Sequence, residues 1–201
     1  MHARHSAVVA AWRQVMVEAG GNIPDRNVER LLRNTHVPVD SNDLRRLDLV
    51  VPGLNVERGV PLFCDITVIS PISRNGAPRG GTSNRGGSLL EEAENANNNT
   101  YREVLQTGLG SLQCLGFEVY GRWGKQCVKL LPTLARERTR GLHVRVRRGV
   151  ALQLQRRWSG IVAVALQRAV AHMILHAADE GVDLFAAELE PAACLADLDV
   201  L

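Results

Sequence analysis

The chain has 201 residues, a formal charge of +3 and a pI near 8.9, with 45% hydrophobic and 22% charged residues. That is ordinary globular composition at single-domain length, and the mild basicity is compatible with nucleic acid without demanding it. The four cysteines, Cys64, Cys114, Cys127 and Cys194, form no CxxC, which argues against a closed zinc site or a disulfide framework and for reduced, buried thiols in an intracellular protein.

In chain order, Ser6–Ala19 is predicted to be helical. Val8, Val9, Trp12, Val15 and Met16 recur at helical spacing, and Gly20–Gly21 end the run. The start lacks a secretory h-region. The segment PDRNVERLLRN reads equally as a short helix begun by Pro24 or as a loop and strand. PVDSND is turn chemistry. Two strands follow, Leu47–Val51 and Pro61–Ile69, joined by a hairpin connection through PGLNVERG. A Gly-, Ser-, Arg- and Pro-rich stretch comes next. It is expected to be a mobile loop, and its Arg74, Arg79 and Arg85 either contact phosphates or are simply solvated.

A helix restarts at Ser88, read as its N-cap, with Glu91 at the capping-box position and a weak or kinked centre in the Asn run. SLQCLGFEVYG reads as a strand. Helices are expected over Lys125–Arg138 and from Arg147 to Ala178. The second carries a broad apolar face of Leu152, Leu154, Trp158, Ile161, Val162, Ala165, Leu166, Val170, Ile174 and Leu175. Its stretch GIVAVALQRAVAHMILHAA is broken by Gln167, Arg168, His172 and His176. That favours an amphipathic or core helix over a membrane span, so no membrane partner is expected. His172 and His176 are read as ordinary surface or core residues, and Trp123 and Trp158 as core. Residues 1–45 form an N-terminal helical segment, 46–180 the core with its C-terminal helices, and 181–201 an acidic tail expected to be loosely ordered. The fold class is α/β, a small mixed β-sheet flanked by helices with a long C-terminal helix.

The chemistry sits in the two central strands. Each holds one acid within an apolar run, Asp48 in RRLDLVV and Asp65 in VPLFCDITVISP. A carboxylate is rarely buried unless it is paired or binds a metal. Two on neighbouring strands make an oxygen-rich corner suited to Mg²⁺ or Mn²⁺ beside a phosphate. The competing reading pairs Asp48 with Arg45 or Arg46. Charge is uneven elsewhere. A basic block, Arg136, Arg138, Arg140, His143, Arg145, Arg147, Arg148, Arg156 and Arg157, precedes the acids that follow Ala178. It is either a solvated helix end or a phosphate-contacting surface, and arginine suits the latter.

Taken together, RRLDLVV, PLFCDITVISP, AEN, Tyr101 and LGFEVYGRWG resemble the C-terminal endonuclease-like region of non-LTR (LINE-type) retroelement polyproteins, part of the PD-(D/E)xK, restriction-endonuclease-like superfamily. The resemblance covers roughly residues 1–178. It matches Asp48 and Asp65 to the two metal-binding acids, Glu94 to a helix acid, Tyr101 to the helix tyrosine, and Glu118 with Gly121 to the last strand. It implies a Mg²⁺- or Mn²⁺-dependent DNA nickase. Asp48, Asp65 and Glu118 would be the catalytic group, and Arg45, Arg46, Tyr101, Arg145, Arg147 and Arg148 would lie against DNA. The nick would prime reverse transcription, and the destination would be nuclear. His5, with His2, would be the remnant of a zinc knuckle. The departure is the helix lysine, which is replaced by asparagine at Asn97 or Asn98. Asparagine can orient a water but carries no charge, so the resemblance also allows a catalytically inactive nucleic-acid-binding or interaction module.

Overall fold

A computed structural model describes residues 3–23, 30–54, 56, 59–73, 75–82 and 85–179. The expected acidic tail, His2, Arg74 and Cys194 lie outside the described residues.

Five helices and two small sheets make up a mixed α/β fold among the described residues. The N-terminal helix α1 (Ala3–Ala19) begins earlier than its apolar spacing suggests and stops at Gly20, whose φ of 106° only glycine adopts easily. The ambiguous segment contributes strand β1 (Arg30–Leu31) and a 3₁₀ turn over Leu32–Asn34; its first residues, 24–29, lie outside the described set. The first predicted strand is two pieces, β2 (Arg46–Leu47) and β3 (Leu49–Val51), interrupted at Asp48. Strand β2 pairs antiparallel with β1, whereas β3 pairs antiparallel with β4 (Leu62–Ile69). The expected hairpin therefore joins β3 to β4. Strand β5 (Ser111–Glu118) runs parallel to β4, giving the order β3-β4-β5.

The helix before β5 is divided into α2 (Ser88–Thr100) and α3 (Arg102–Thr107), with the break at Tyr101 rather than inside the Asn run. Ser88 is not the cap. Gly87, at φ 85°, precedes the first turn, and the Ser88 hydroxyl is buried without a partner. Glu91 instead meets Lys125 at 2.5 Å and Arg85 at 2.6 Å. Helix α4 (Lys125–Arg138) has the predicted bounds, and α5 (Val144–Asp179) starts one turn earlier than its apolar face indicates.

Strand alternation sorts the core into two layers. Leu62, Cys64 and Ile66 of β4, with Leu115 and Phe117 of β5, pack under α1, α4 and α5. On the other face Phe63, Leu112 and Cys114 join Tyr101 and Val104 of α2 and α3. Trp12, Phe117 and Trp123 form an aromatic cluster, so Trp123 is core as expected. Trp158 is fully buried, and its indole Nε1 donates to Glu18 at 2.8 Å. Along α5, Ala151, Trp158, Val162, Leu166 and Ala169 face the body, while Leu152, Ile174 and Leu175 of the expected apolar face are exposed. By length and composition alone the 144–175 stretch is long and apolar enough to cross a membrane, yet in this fold its buried residues rest against α1 and α4.

Candidate metal and nucleic-acid site

The register of the β3–β4 ladder determines what meets what. Leu49 pairs with Cys64, Val50 with Phe63 and Val51 with Leu62. Extended one step past its last pair, that register would set Asp48 opposite Asp65, but Asp48 itself lies outside the ladder. At that step the strand is interrupted, and the Asp48 carboxylate turns back on the neighbouring backbone. Its Oδ2 accepts the Ile66 amide at 2.6 Å and meets His5 Nε2 at 3.1 Å. The carboxylate thus finds its partners in β4 and α1, not in Arg45 or Arg46.

Asp65 projects into the α2 layer. Its Oδ2 accepts from the Asn97 amide at 2.5 Å and its Oδ1 from the Tyr101 hydroxyl at 3.3 Å. Thr67 Oγ1 stands 3.4 Å from both the Asp65 carboxylate and Asn97 Nδ2. Burial, then repulsion from Asp48, pushes the Asp65 carboxyl up to about 6. His5 is held above its ordinary value chiefly by its bond to Asp48, against the opposing effect of burial. Buried and close to two acids, Tyr101 is pushed well above the usual phenol range. The thiols of Cys64 and Cys127 are raised by burial, and that of Cys114 reaches about 12 for the same reason. These three are free and buried, as their scatter suggested, and none is an activated nucleophile.

The helix face that meets Asp65 follows 3.6-residue periodicity. Glu94, Asn97 and Tyr101 fall on one stripe of α2 and its C-cap. Of the two asparagines at the position of the helix lysine, Asn97 is the one bonded to Asp65; the Asn98 Oδ1 lies 3.8 Å from the Cys114 thiol. Glu94 accepts from Gln126 Nε2 at 2.7 Å and so faces α4.

Several expected residues are not brought to this pair. Cys114, not Glu118, is the β5 residue opposite Asp65. Glu118 lies four residues further on, about 13 Å along the strand, where it is buried and bonded to Arg122 Nε at 3.0 Å. Arg45 is committed to Asp43 at 2.6 Å and Glu103 at 2.9 Å, which leaves it neutralised. The Tyr101 hydroxyl shares its one proton between the Arg46 carbonyl and Asp65, and the ring is buried, so it braces the site instead of presenting a stacking surface. Arg145, Arg147 and Arg148 are exposed at the start of α5. Conversely, nothing in the chain's local pattern signals that His5 reaches Asp48. The contact spans 43 residues, and the resemblance assigned His5 to a zinc knuckle.

The cation that the resemblance implies fits this donor set. Both are hard oxygen donors, Asp48 turned toward α1 and Asp65 toward α2, and the charge of Asp48 helps hold Asp65 toward its protonated form, a repulsion that a cation relieves. Among the described residues no group of three or more His, Cys, Asp or Glu side chains makes a metal centre. A cation here would therefore rely on the pair plus water and phosphate, the usual arrangement for Mg²⁺. No protein-family model, curated protein or solved structure matches this chain. Its class is defined by fold and site alone: a mixed α/β domain with a carboxylate pair at the junction of its two sheets.

Proposed function

We propose that this chain is a metal-dependent DNA-nicking domain of restriction-endonuclease-like type and retroelement origin, slowed by loss of its helix lysine. Asp48 and Asp65 hold Mg²⁺ or Mn²⁺. The observation that carries the reading is the nearness of the two acids, close enough for the charge of Asp48 to raise the Asp65 carboxyl, with Asn97 bonded to the second. When bound, the cation supplies Lewis acidity toward a phosphate oxygen. Around it, Tyr101 and Asn97 fix both oxygens of Asp65, and the Ile66 amide and His5 orient Asp48. Asn97 can position a water by hydrogen bonding but lends no positive charge to the developing phosphorane. A missing electrostatic donor of that kind costs about 3 kcal/mol of transition-state stabilisation.

One specific feature favours a second reading, an inactive nucleic-acid-binding module. The amide that replaces the lysine is itself occupied by Asp65. Nicking of supercoiled plasmid in Mg²⁺ and in Mn²⁺ separates the two. The nickase reading expects slow relaxation that disappears in Asp48→Ala and Asp65→Asn. Relaxation that survives Asp48→Ala removes the site assignment. DNA binding without relaxation in either metal supports the module. Electron paramagnetic resonance of free Mn²⁺ tests the site independently, and a free-Mn²⁺ signal that wild type does not reduce would rule out cation binding.

A further inference from the structure

The corner where α4 gives way to α5 carries charge that the fold does not neutralise. Between Arg136 and Arg157 there are eight arginines and one acid, Glu137. Arg157, at the far end of that stretch, lies within 3.0 Å of a carboxylate, as do Arg45, Arg85 and Arg122 elsewhere. In the corner, Arg140 has Glu137 at 3.5 Å, Arg136 bonds within its own helix, and Arg147 donates to the Leu142 carbonyl at 2.9 Å. Arg138, Arg145, Arg148 and Arg156 are exposed, and their side chains have no hydrogen-bond or ion-pair partner among the described residues.

The placement adds to the imbalance. Arg145, Arg147 and Arg148 occupy the opening of a 36-residue helix with no acid in its first turn. That end already bears the positive pole of the helix dipole, so like charges accumulate there at a cost to the isolated fold. An anion removes that cost. Planar guanidinium forks suit phosphodiester oxygens. The exposed apolar residues between them are Leu142, Val144, Val146, Val150 and Leu152, with no aromatic, which is little to seat in a lipid interface.

We propose that this corner is a second, cation-independent contact for the phosphodiester backbone of duplex DNA. It lies in the helix layer opposite the one that Asp65 faces. The inference rests on the nucleic-acid half of the proposed function, and on neither the metal nor cleavage.

The test is fluorescence anisotropy of the full chain with a short DNA duplex in EDTA, across a salt series. Wild type is expected to bind with a steep salt slope. The variant R138Q/R145Q/R148Q is expected to lose about 3 from that slope, about 1 per phosphate contact, and to bind more weakly at every salt concentration. R138K/R145K/R148K, which keeps the charge, is expected to keep the slope. Plasmid nicking in Mg²⁺ is read beside this titration: a wild type that binds in EDTA with a steep slope but does not nick leaves this surface standing, so loss of nicking and loss of this surface are distinguished. A glutamine variant with wild-type slope and affinity overturns the proposal. So does a wild type that ignores DNA in EDTA while binding phosphatidylserine vesicles.

Discussion

Replacing Asp65 with asparagine is expected to stabilise the cation-free protein near neutral pH. Burial and Asp48 raise its carboxyl to about 6, against an ordinary 3.8. The folded chain therefore holds this proton more tightly than the unfolded chain does. As pH rises from about 4 to about 6 the unfolded chain releases it first, and stability falls through that window. The gap between about 6 and 3.8 corresponds to about 3 kcal/mol, a ceiling for the gain from a neutral isostere above pH 6. Asparagine can keep the local bonds. Its oxygen can accept from Asn97, and its amide can face the Tyr101 oxygen, which can then give its one proton wholly to the Arg46 carbonyl. Urea unfolding in EDTA at a series of pH values is the assay. The variant should match wild type near pH 4 and exceed it by about 2 to 3 kcal/mol near pH 7.5. Adding Mn²⁺ should raise wild type only, since ligand binding to the native state adds stability by mass action. A variant that is less stable than wild type at neutral pH, or one that keeps the fall between about pH 4 and 6, refutes the electrostatic account of the pair.

Asn97→Lys restores a cation beside Asp65 and should raise plasmid nicking by about 100-fold; a rate unchanged from wild type would show that the asparagine is not what limits cleavage. Because His5 is raised in the fold by Asp48, its contribution is present below its ordinary 6.5 and is lost as pH passes its higher folded value. His5→Gln should thus cost about 1 kcal/mol near pH 6 and less near pH 9 in chemical denaturation. Tyr101→Phe removes the donor to the Arg46 carbonyl and to Asp65, and should cost about 1 to 2 kcal/mol without altering secondary structure by circular dichroism. Gly110→Ala places a Cβ 2.6 Å from the Phe63 ring and should lower the melting temperature, with Gly108→Ser, open on all sides but at positive φ, as a milder comparison.

What the sequence made legible was local. Acids inside apolar runs marked Asp48 and Asp65, because an unpaired carboxylate in such a run is costly and so has a reason to be there. The expected bounds of α4, Lys125–Arg138, are those the fold shows. What stayed hidden depended on partners far along the chain. No periodicity reveals that α1 carries His5 to Asp48, or that the parallel β4–β5 register puts Cys114 opposite Asp65 and leaves Glu118 at the strand end. The helix start misled for a related reason. Ser88 with Glu91 satisfies a capping pattern, but Gly87 offers the turn, and Lys125 and Arg85 draw Glu91 away. Asn97 was one of two equal candidates until the strand facing it was known.

The interruption at Asp48 gives that residue a second consequence. It is the single link between a ribbon that ends at Leu47 and a ladder that begins at Leu49, and the two belong to different sheets. Whatever grips its side chain also sets the angle at which ribbon and ladder meet. Loading this corner should therefore be felt as slower amide exchange at Arg30–Leu31, out on the ribbon, well away from the atoms that do the gripping.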